Sequence, residues 1–251
     1  MVVSLDPDGG PMAAQVMRAL RQAIITMRFR PGEMLSEQEI ATRFGVSRSP
    51  VREAFIKLGE VGLVRVLPQR GTRVTHISYA AVEDARFVRE AVETAIVREA
   101  ARDAGPFSTA LARNLSLQRR AARSRDSEAF FALDEEFHRL LAEAAGRGTA
   151  FRIIEDVKAQ MDRVRYLSTP AATSMDVLVK QHVAIADAVT AGDPERAAAA
   201  MTAHLTEILK SLPALAQKHP ELFEKVPAAV MDAERLTQAV TRQPVARRRV
   251  I

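Results

Sequence analysis

Two polar side chains interrupt a helical stripe that should be apolar. Between residues 131 and 145, Asp134 and His138 follow the same helical spacing as Leu141, so a carboxylate and an imidazole share a core-facing stripe. A buried carboxylate is costly unless it is paired. Because residues four apart lie together on a helix, this pair could hold one metal ion from a single element.

Two histidines on later helices show the same placement. His182 lies on a stripe with Ile185, and His204 lies on a stripe with Met201. Taken singly, each histidine is more simply a core residue with a hydrogen-bond partner, and the Asp-x-x-x-His pair is an intrahelical hydrogen bond. Taken together, one carboxylate and three imidazoles that meet inside a bundle predict a site for a divalent cation. Zn²⁺, Ni²⁺ and Mn²⁺ all suit such ligands.

The composition is that of an ordinary globular chain. Hydrophobic residues make up 47% and charged residues 27% of the 251 positions, which suits one large domain or two smaller ones. The absence of cysteine excludes disulfides and thiolate metal sites and favours a reducing compartment. No apolar run approaches the roughly 18–20 residues that span a bilayer, and the first ten residues lack the apolar core of a signal peptide. We therefore expect a cytoplasmic protein with no membrane partner.

Charge is unevenly distributed along the chain. Residues 1–78 carry 11 Lys and Arg against 7 Asp and Glu, residues 79–234 carry 20 against 24, and residues 235–251 carry 5 against none. A basic N-terminal part suits a polyanionic partner, and an acidic middle part does not. The difference indicates two modules with separate tasks.

The N-terminal module has the pattern of closely spaced helices. Residues 12–28 predict a first helix, Ser36 caps a second that ends at Gly45, and Ser47 can cap a third. A helix, a glycine turn and a second helix with a basic, hydroxyl-rich start are typical of the helix-turn-helix. Residues 64–75 then alternate around a Pro-Gln-Arg-Gly tip, which predicts a β-hairpin wing. The alternative is a small helical domain with a solvated charged face, but order, spacing, caps and basic tip together favour DNA binding.

The stretch LSEQEIATRFGVSRSPVREAFIKLGEVGLVRVLPQRGTRV resembles the winged helix-turn-helix of GntR-family bacterial transcription regulators. The run VSRSPVREA, followed by GLV and RGTRV, is highly specific to that family. The resemblance implies DNA contacts from the recognition helix and the wing tip, through Ser47, Arg48, Ser49, Arg52, Arg70 and Gly71. In some members a basic residue of the preceding helix also touches DNA. The matching position here is Gln38, and Arg43 is the alternative contact to the phosphates.

From Tyr79 onward the pattern predicts helices only, over 79–104, 107–124, 127–145, 148–168, 174–191 and 194–211. The short loops favour an antiparallel bundle. This half resembles the FCD domain, the all-helical effector domain of FadR-type GntR regulators, through FVREAVETAIVREAA, DEEFHRLL and QHVAIADAVTAGDPERAAAAMTAHL. FCD domains that bind metal use one Asp and three His, and the matching positions are Asp134, His138, His182 and His204. Gln181 stands where the family often has glutamate, which implies a weaker hydrogen bond behind a metal ligand.

An Asp/His₃ set leaves two positions open on an octahedral ion, and these suit a carboxylate such as a small organic or sugar acid. A nearby cation would hold the other end of that ligand. Arg89, in VREAVE, matches a family arginine implicated in effector contact, and its alternative role is an i,i+4 ion pair with Glu93. Arg163 and Arg165 are weaker candidates, and either could instead lie on a solvated face.

These features predict a mainly α fold, with a winged helix-turn-helix followed by an all-helical, FCD-like antiparallel bundle. The predicted segments are a flexible N-terminus (1–11), the DNA-binding domain (12–78), the metal- and effector-binding domain (79–212) and a partly disordered C-terminal extension (213–251). We predict a homodimeric regulator, most simply a repressor, that is not an enzyme and that binds a pseudo-palindromic double-stranded DNA operator.

Two alternatives remain open from the sequence. One is a helical-bundle metallohydrolase, which would leave the winged helix without a task and needs a general base beside the metal. Glu135 and Glu136 flank the first ligand, but helical geometry turns them away from the face of His138. The other alternative is a regulator whose histidines bind an organic acid directly, without metal.

Overall fold

The computed structural model describes residues 10–103, 105–169 and 174–225. Residues 1–9 and 226–251 lie outside the described residues, and with them most of the predicted N-terminal segment and much of the predicted C-terminal extension. The helices and strands of the N-terminal half are α1 (Met12–Ile25), β1 (Met34–Leu35), α2 (Glu37–Phe44), α3 (Arg48–Glu60), β2 (Val64–Leu67) and β3 (Gly71–Val74).

The start of α2 follows from its sequence. The Ser36 hydroxyl accepts the backbone N–H of Glu39 at 3.4 Å, and the helix ends at Gly45, whose φ of 66° lies in the left-handed region that glycine tolerates. Ser47 holds the corresponding position before α3, but its hydroxyl makes no capping bond to the residues that the structure describes. The third helix therefore begins without the predicted cap.

The predicted wing is a β-hairpin within a three-stranded sheet of order β1-β3-β2, and both pairings are antiparallel. Strands β2 and β3 pair Val64 with Val74 and close at Gly71. The additional strand β1 was not predicted, because two residues are too few to show an alternating pattern. Gly71 has a φ of 95°, and a Cβ there would lie 3.3 Å from the carbonyl oxygen of Leu35, so glycine suits this close approach.

The C-terminal half is all-helical within the described residues. Its helices are α4 (Tyr79–Ala100), α5 (Ser108–Ser124), α6 (Ser127–Ala144), α7 (Gly148–Val157), α8 (Ala159–Ser168), α9 (Met175–Thr190), α10 (Pro194–Thr206) and α11 (Ile208–Lys218). No helix in this described part of the chain is long and apolar enough to cross a membrane.

Two predicted helices are each divided in the structure. The predicted helix 148–168 is α7 and α8, separated at Lys158, where ψ opens to 0°. The predicted helix 194–211 is interrupted at Glu207, whose N–H donates to the carbonyl of His204, three residues back. Neither break carries a proline or glycine, so the sequence showed no signal for it.

The two halves share buried surface through α8. Ala159 belongs to the apolar core formed by α1, α2, α3 and the wing, whereas Met161 and Val164 belong to a core beneath the linker. A single short helix therefore contacts the DNA-binding module and the helical module at once.

The linker between the halves is fixed by partners distant in sequence. The Arg163 guanidinium donates to the carbonyls of Thr75 at 2.6 Å and His76 at 3.3 Å. The Ile77 N–H donates to the carbonyl of Leu222, and the Glu224 N–H donates to the carbonyl of Ile77, each at 2.9 Å. Part of the predicted C-terminal extension thus pairs with the linker.

Candidate functional site

Four buried side chains converge in the helical module. Helix α6 carries Asp134 and His138, α9 carries His182 and α10 carries His204, and each offers one ligand atom within 4.8 Å of all the others. His204 Nε2 lies 3.2 Å from His138 Nε2 and 3.3 Å from His182 Nε2. His182 Nε2 is 3.4 Å from Asp134 Oδ1. The structure therefore brings the predicted quartet together.

The ring orientation of His138 is set by Glu93. His138 Nδ1 makes a short hydrogen bond to Glu93 Oε2, and Arg89 Nε donates to Glu93 Oε1 at 2.6 Å. Burial opposes the charge on Glu93, but Arg89 and then His138 outweigh burial and hold the pKa of this carboxyl below its ordinary value. A carboxylate only accepts, so His138 Nδ1 carries the proton of this hydrogen bond and Nε2 is left to face the cluster.

The orientation of His182 is set by a buried amide. His182 Nδ1 lies 2.7 Å from Gln118 Oε1. The Gln118 amide nitrogen donates to Asn114 Oδ1, also at 2.7 Å, which turns the Gln118 oxygen toward the imidazole. The Nδ1 proton of His182 is therefore used here, and its Nε2 faces the cluster without a proton.

Gln181 orients the third imidazole. His204 Nδ1 lies 3.0 Å from Gln181 Oε1, and the Gln181 amide nitrogen donates to Glu207 Oε2 at 2.9 Å. A glutamine here accepts through its oxygen because a carboxylate behind it takes its nitrogen. The expected hydrogen bond is thus present, with a neutral acceptor in place of the family's usual carboxylate.

The consequence is that three imidazole lone pairs point at one another. With every Nδ1 proton donated outward, hydrogen bonds between the Nε2 atoms need a further proton, whereas one bound cation would satisfy all three Nε2 atoms at once. Three of the separations are 3.2–3.4 Å and every pair lies within 4.8 Å, close to the roughly 2.9–3.4 Å between neighbouring ligands of an octahedral or tetrahedral ion with bonds of about 2.0–2.1 Å. The donor set fits a divalent cation.

A pocket opens onto this cluster. Asp134 and His204 form part of its wall. Arg89 and Arg165 add two guanidinium groups, while Phe130, Tyr166 and other side chains provide apolar surface. Burial, and then the like charge of Arg89, lowers the pKa of Arg165 to about 9, so it remains a cation at neutral pH.

Arg165 connects this pocket to the quartet directly. Its Nη2 donates to Asp134 Oδ2, which leaves Oδ1 to face the histidines, and its Nη1 donates to Glu135 at 2.5 Å and to Asp162 at 3.0 Å. Glu135 is thus engaged by cations and not directed at the cluster. Arg89 pairs with Glu93 and also lines the pocket, so its geometry is compatible with both roles considered from the sequence.

A second candidate site is the groove between the wing and the helix-turn-helix. The predicted side chains Gln38, Arg48, Arg52 and Arg70 line it together with Gly71. The remaining predicted residues, Ser47, Ser49 and Arg43, are exposed nearby. Arg43 stacks over the Phe29 ring at 5.5 Å.

The sequence did not predict the role of Glu37 in this groove. Its carboxylate accepts from Arg52 Nε at 3.1 Å and from Arg48 Nη2 at 2.9 Å. Hydrogen bonds from Arg52 and then Arg48 lower the pKa of Glu37. In the free protein this carboxylate orients the two recognition-helix arginines, whose side chains remain more than half exposed.

Both halves of the chain match known protein families. Residues 12–74 match the family described as bacterial regulatory proteins of the gntR family, and residues 84–207 match the FCD domain. The HTH-type transcriptional repressor RspR of Escherichia coli K12 is 41% identical over 216 residues, which cover 86% of this chain and 95% of RspR. The chain belongs to the GntR family.

Solved structures agree with this assignment. A GntR transcriptional regulator from Rhodococcus sp. RHA1 has a TM-score of 0.67 at 28% identity, covering 80% of this chain and 98% of its own. The E. coli protein McbR/YncC, at 19% identity, shares the fold, with a TM-score of 0.72 over 84% of this chain and 99% of its own. This GntR protein is a DNA-binding transcriptional regulator, and the metallohydrolase alternative is wrong because its family and relatives are regulators.

One effector candidate of the GntR protein lies away from the pocket. Arg163 is fully buried and, besides the linker carbonyls of Thr75 and His76, donates to Gln160. Arg163 and Arg165 are two residues apart on α8, so they leave the helix in different directions. Of these two arginines, only Arg165 lines the pocket.

The neutral histidines predict a pH dependence of stability for the metal-free GntR protein. Burial, and then neighbouring positive groups, holds the pKa of His182 and His204 well below the ordinary value. Below pH about 6.5 the unfolded chain binds protons that the folded chain excludes, so the free energy of unfolding must fall as pH falls. We expect a loss of up to about 3 kcal/mol between pH 6.5 and 5.0.

Urea unfolding in the presence of chelator, repeated across that pH range, measures this slope. The variant His204→Gln should show a shallower slope, because it removes one of the two neutral imidazoles. A stability that is constant from pH 6.5 to 5.0 would contradict the assignment of neutral, buried rings.

Proposed function

We propose that this GntR protein is a homodimeric repressor that releases its operator when a small organic or sugar acid binds a divalent metal ion in the helical domain. The ion would be Zn²⁺, Ni²⁺ or Mn²⁺, held by Asp134, His138, His182 and His204. The acid would complete the coordination of the ion and pair with Arg89 and Arg165.

One observation carries the metal proposal. The imidazoles of His138, His182 and His204 direct their Nε2 atoms at a common point, with Asp134 Oδ1 on the same side. Hydrogen bonds from the Nδ1 side lock this arrangement, as is usual for metal-bound histidine. The bound ion would act as a Lewis-acidic anchor for an oxygen ligand.

The class of effector follows from the walls of the pocket. Two arginines beside an ion with open positions make a strongly positive site, and an arginine can hold a carboxylate through two parallel hydrogen bonds. The aromatic and aliphatic wall suits a small carbon skeleton. The alternative without metal uses the same pocket, and the effect of chelator on acid binding separates the two.

The DNA-binding half supports a dimeric reader of a two-fold operator. Helix-turn-helix proteins place a recognition helix in the major groove of each half-site, so a pseudo-palindrome calls for two copies. The predicted contacts are Gln38, Arg43, Ser47, Arg48, Ser49, Arg52, Arg70 and Gly71. The direction of control, release on binding acid, is supported by the name of RspR as a repressor.

The test is a thermal-shift screen of the chelator-treated full chain with Zn²⁺, Ni²⁺ or Mn²⁺ and a panel of organic and sugar acids. An ion at 100 times its Kd should stabilise the protein by about 2.7 kcal/mol, or roughly 5–10 °C in Tm. An active acid should raise Tm further only with metal present, and should weaken operator binding. An equal rise in Tm in the presence of chelator would support direct binding of the acid. Tighter operator binding on addition of the acid would reverse the direction of control.

Replacing Arg52 by alanine tests the recognition helix. Loss of a base-reading arginine should weaken operator binding by about 1–3 kcal/mol, roughly 5- to 150-fold, and relax the preference at one base pair. Fluorescence anisotropy with the operator and a scrambled duplex, at several salt concentrations, measures both effects. Arg119→Ala, on the exposed face of α5, is the charge-matched control. Equal losses on both duplexes would make Arg52 a phosphate contact.

A further inference from the structure

Helix α8 connects the pocket with the DNA-binding half through one buried carboxylate. Asp162 is 1% exposed and lies between groups from both directions. Its Oδ1 accepts from Arg165 Nη1 at 3.0 Å on the pocket side. Its Oδ2 accepts from Lys158 Nζ at 2.8 Å and lies 3.6 Å from Arg21 Nη2, which belongs to α1.

The two arginines around Asp162 differ in how fully their nitrogen atoms are hydrogen-bonded. Arg165 uses both terminal nitrogens, on Asp134, Glu135 and Asp162. Arg21 donates to the backbone carbonyl of Glu155, but its contact with Asp162 is long, and its buried Nε has no hydrogen-bond partner among the described residues. Arg21 is therefore the cation that gains if Asp162 loses its pocket-side partner.

Arg21 lies on a helix that belongs to the core of the DNA-binding module, so a change of its ion-pair partner bears on that module. Helix α1 contributes Val16, Leu20 and Ile24, all without solvent exposure, to the core of the DNA-binding module. A change in how α1 is held against α8 must therefore move or stiffen the module as a unit, because close-packed cores shift together. The charges of Asp134, Glu135 and Asp162 are balanced by those of Lys158, Arg165 and Arg21, so redistribution needs no uncompensated buried charge.

We propose that Asp162 relays the occupancy of the pocket to the DNA-binding module by exchanging Arg165 for Arg21. An anionic ligand in the pocket draws the Arg165 guanidinium toward itself, Asp162 Oδ1 loses its donor, and Arg21 closes on Asp162. Helix α1 is then held more tightly to α8, and the module is fixed in a different pose. The relay rests on the proposed function in one respect, since it takes the ligand to bind at Arg165.

Hydrogen–deuterium exchange on the full chain, without metal or acid, tests the exchange of partners directly. Arg165→Gln mimics withdrawal of the guanidinium and should slow exchange of residues 12–25 by about twofold to fivefold, the effect of one strengthened ion pair. Asp162→Asn should accelerate exchange in the same residues. In the Asp162→Asn background, Arg165→Gln should have no further effect. Arg139→Gln, which removes an arginine paired on the outside of α6, is the matched control.

Unchanged exchange of residues 12–25 in Arg165→Gln would overturn the relay, and so would a response that persists in the Asp162→Asn background. If Arg165→Gln does not fold, Arg165→Lys keeps the charge but loses the fork that reaches several carboxylates, and the same slowing is expected. Elemental analysis of the wild-type protein tests the metal separately. A protein without metal would refute the proposed metal site while leaving the exchange result decisive for the relay.

Discussion

Replacing His182 by alanine is expected to lower the affinity for a divalent ion by about 100- to 1,000-fold. Structural metal sites with four protein ligands bind with roughly 10–16 kcal/mol, so one ligand accounts for about 3–4 kcal/mol. His182 is fully buried between Gln118 and the cluster. That hydrogen bond fixes the position of the ring, so the alanine variant removes one of the four ligands and leaves the other three in place.

Competition with a chromophoric chelator measures the affinity for Zn²⁺, Ni²⁺ and Mn²⁺. His219→Ala is the matched control, since His219 lies near the end of the described chain and pairs with Glu221 at 3.5 Å. The control should bind metal as the wild type does. Wild-type affinity in His182→Ala would remove this residue from the site, and equal loss in both variants would point to a general effect on folding.

Replacing Arg163 by alanine is expected to lower the free energy of unfolding by about 3–5 kcal/mol. The change creates a cavity at a site with no exposure and leaves the carbonyls of Thr75 and His76 without their donor. Both costs fall at the junction between the two halves. Operator binding should therefore suffer as well, although Arg163 is remote from the DNA-binding groove.

Urea unfolding measures the stability, and chelator competition at low temperature measures metal affinity in the same variant. Metal affinity should stay within a few-fold of the wild type, because Arg163 does not line the pocket. Arg120→Ala, on the outer face of α5, should change neither quantity. Wild-type stability combined with loss of acid binding would make Arg163 an effector contact, which is the role first considered for it.

The quartet was predictable because helical spacing alone places each of its members on an apolar stripe. The partners behind the histidines were not. Glu93 lies on α4 and Gln118 on α5, and their contact with the cluster depends on how these helices are rotated against α6 and α9. Helical periodicity shows which face of each helix is buried, but not which residues of two buried faces meet.

The two arginines of α8 illustrate the same limit at closer range. The prediction of one continuous helix over 148–168 did not include the break at Lys158. The directions of the Arg163 and Arg165 side chains could therefore not be derived from it. In the structure one guanidinium enters the linker and the other enters the pocket. The contacts of Glu37 with the two arginines were not predictable for a different reason. In the sequence Glu37 is an ordinary acidic residue in the first turn of a helix, where the helix dipole favours it.

The pairing of Ile77 with the strand-like segment around Phe223 bears on the order in which a nascent chain matures. The ribosome completes the DNA-binding module first, and at ordinary translation rates the partner of Ile77 follows roughly 10–30 s later. Until then Ile77 lacks this edge partner, and Arg163 alone of the two fixes the linker, through Thr75 and His76. The full set of contacts that hold the linker is thus completed near the end of synthesis, and a fusion or nick within residues 219–224 would disturb it from far outside the DNA-binding module.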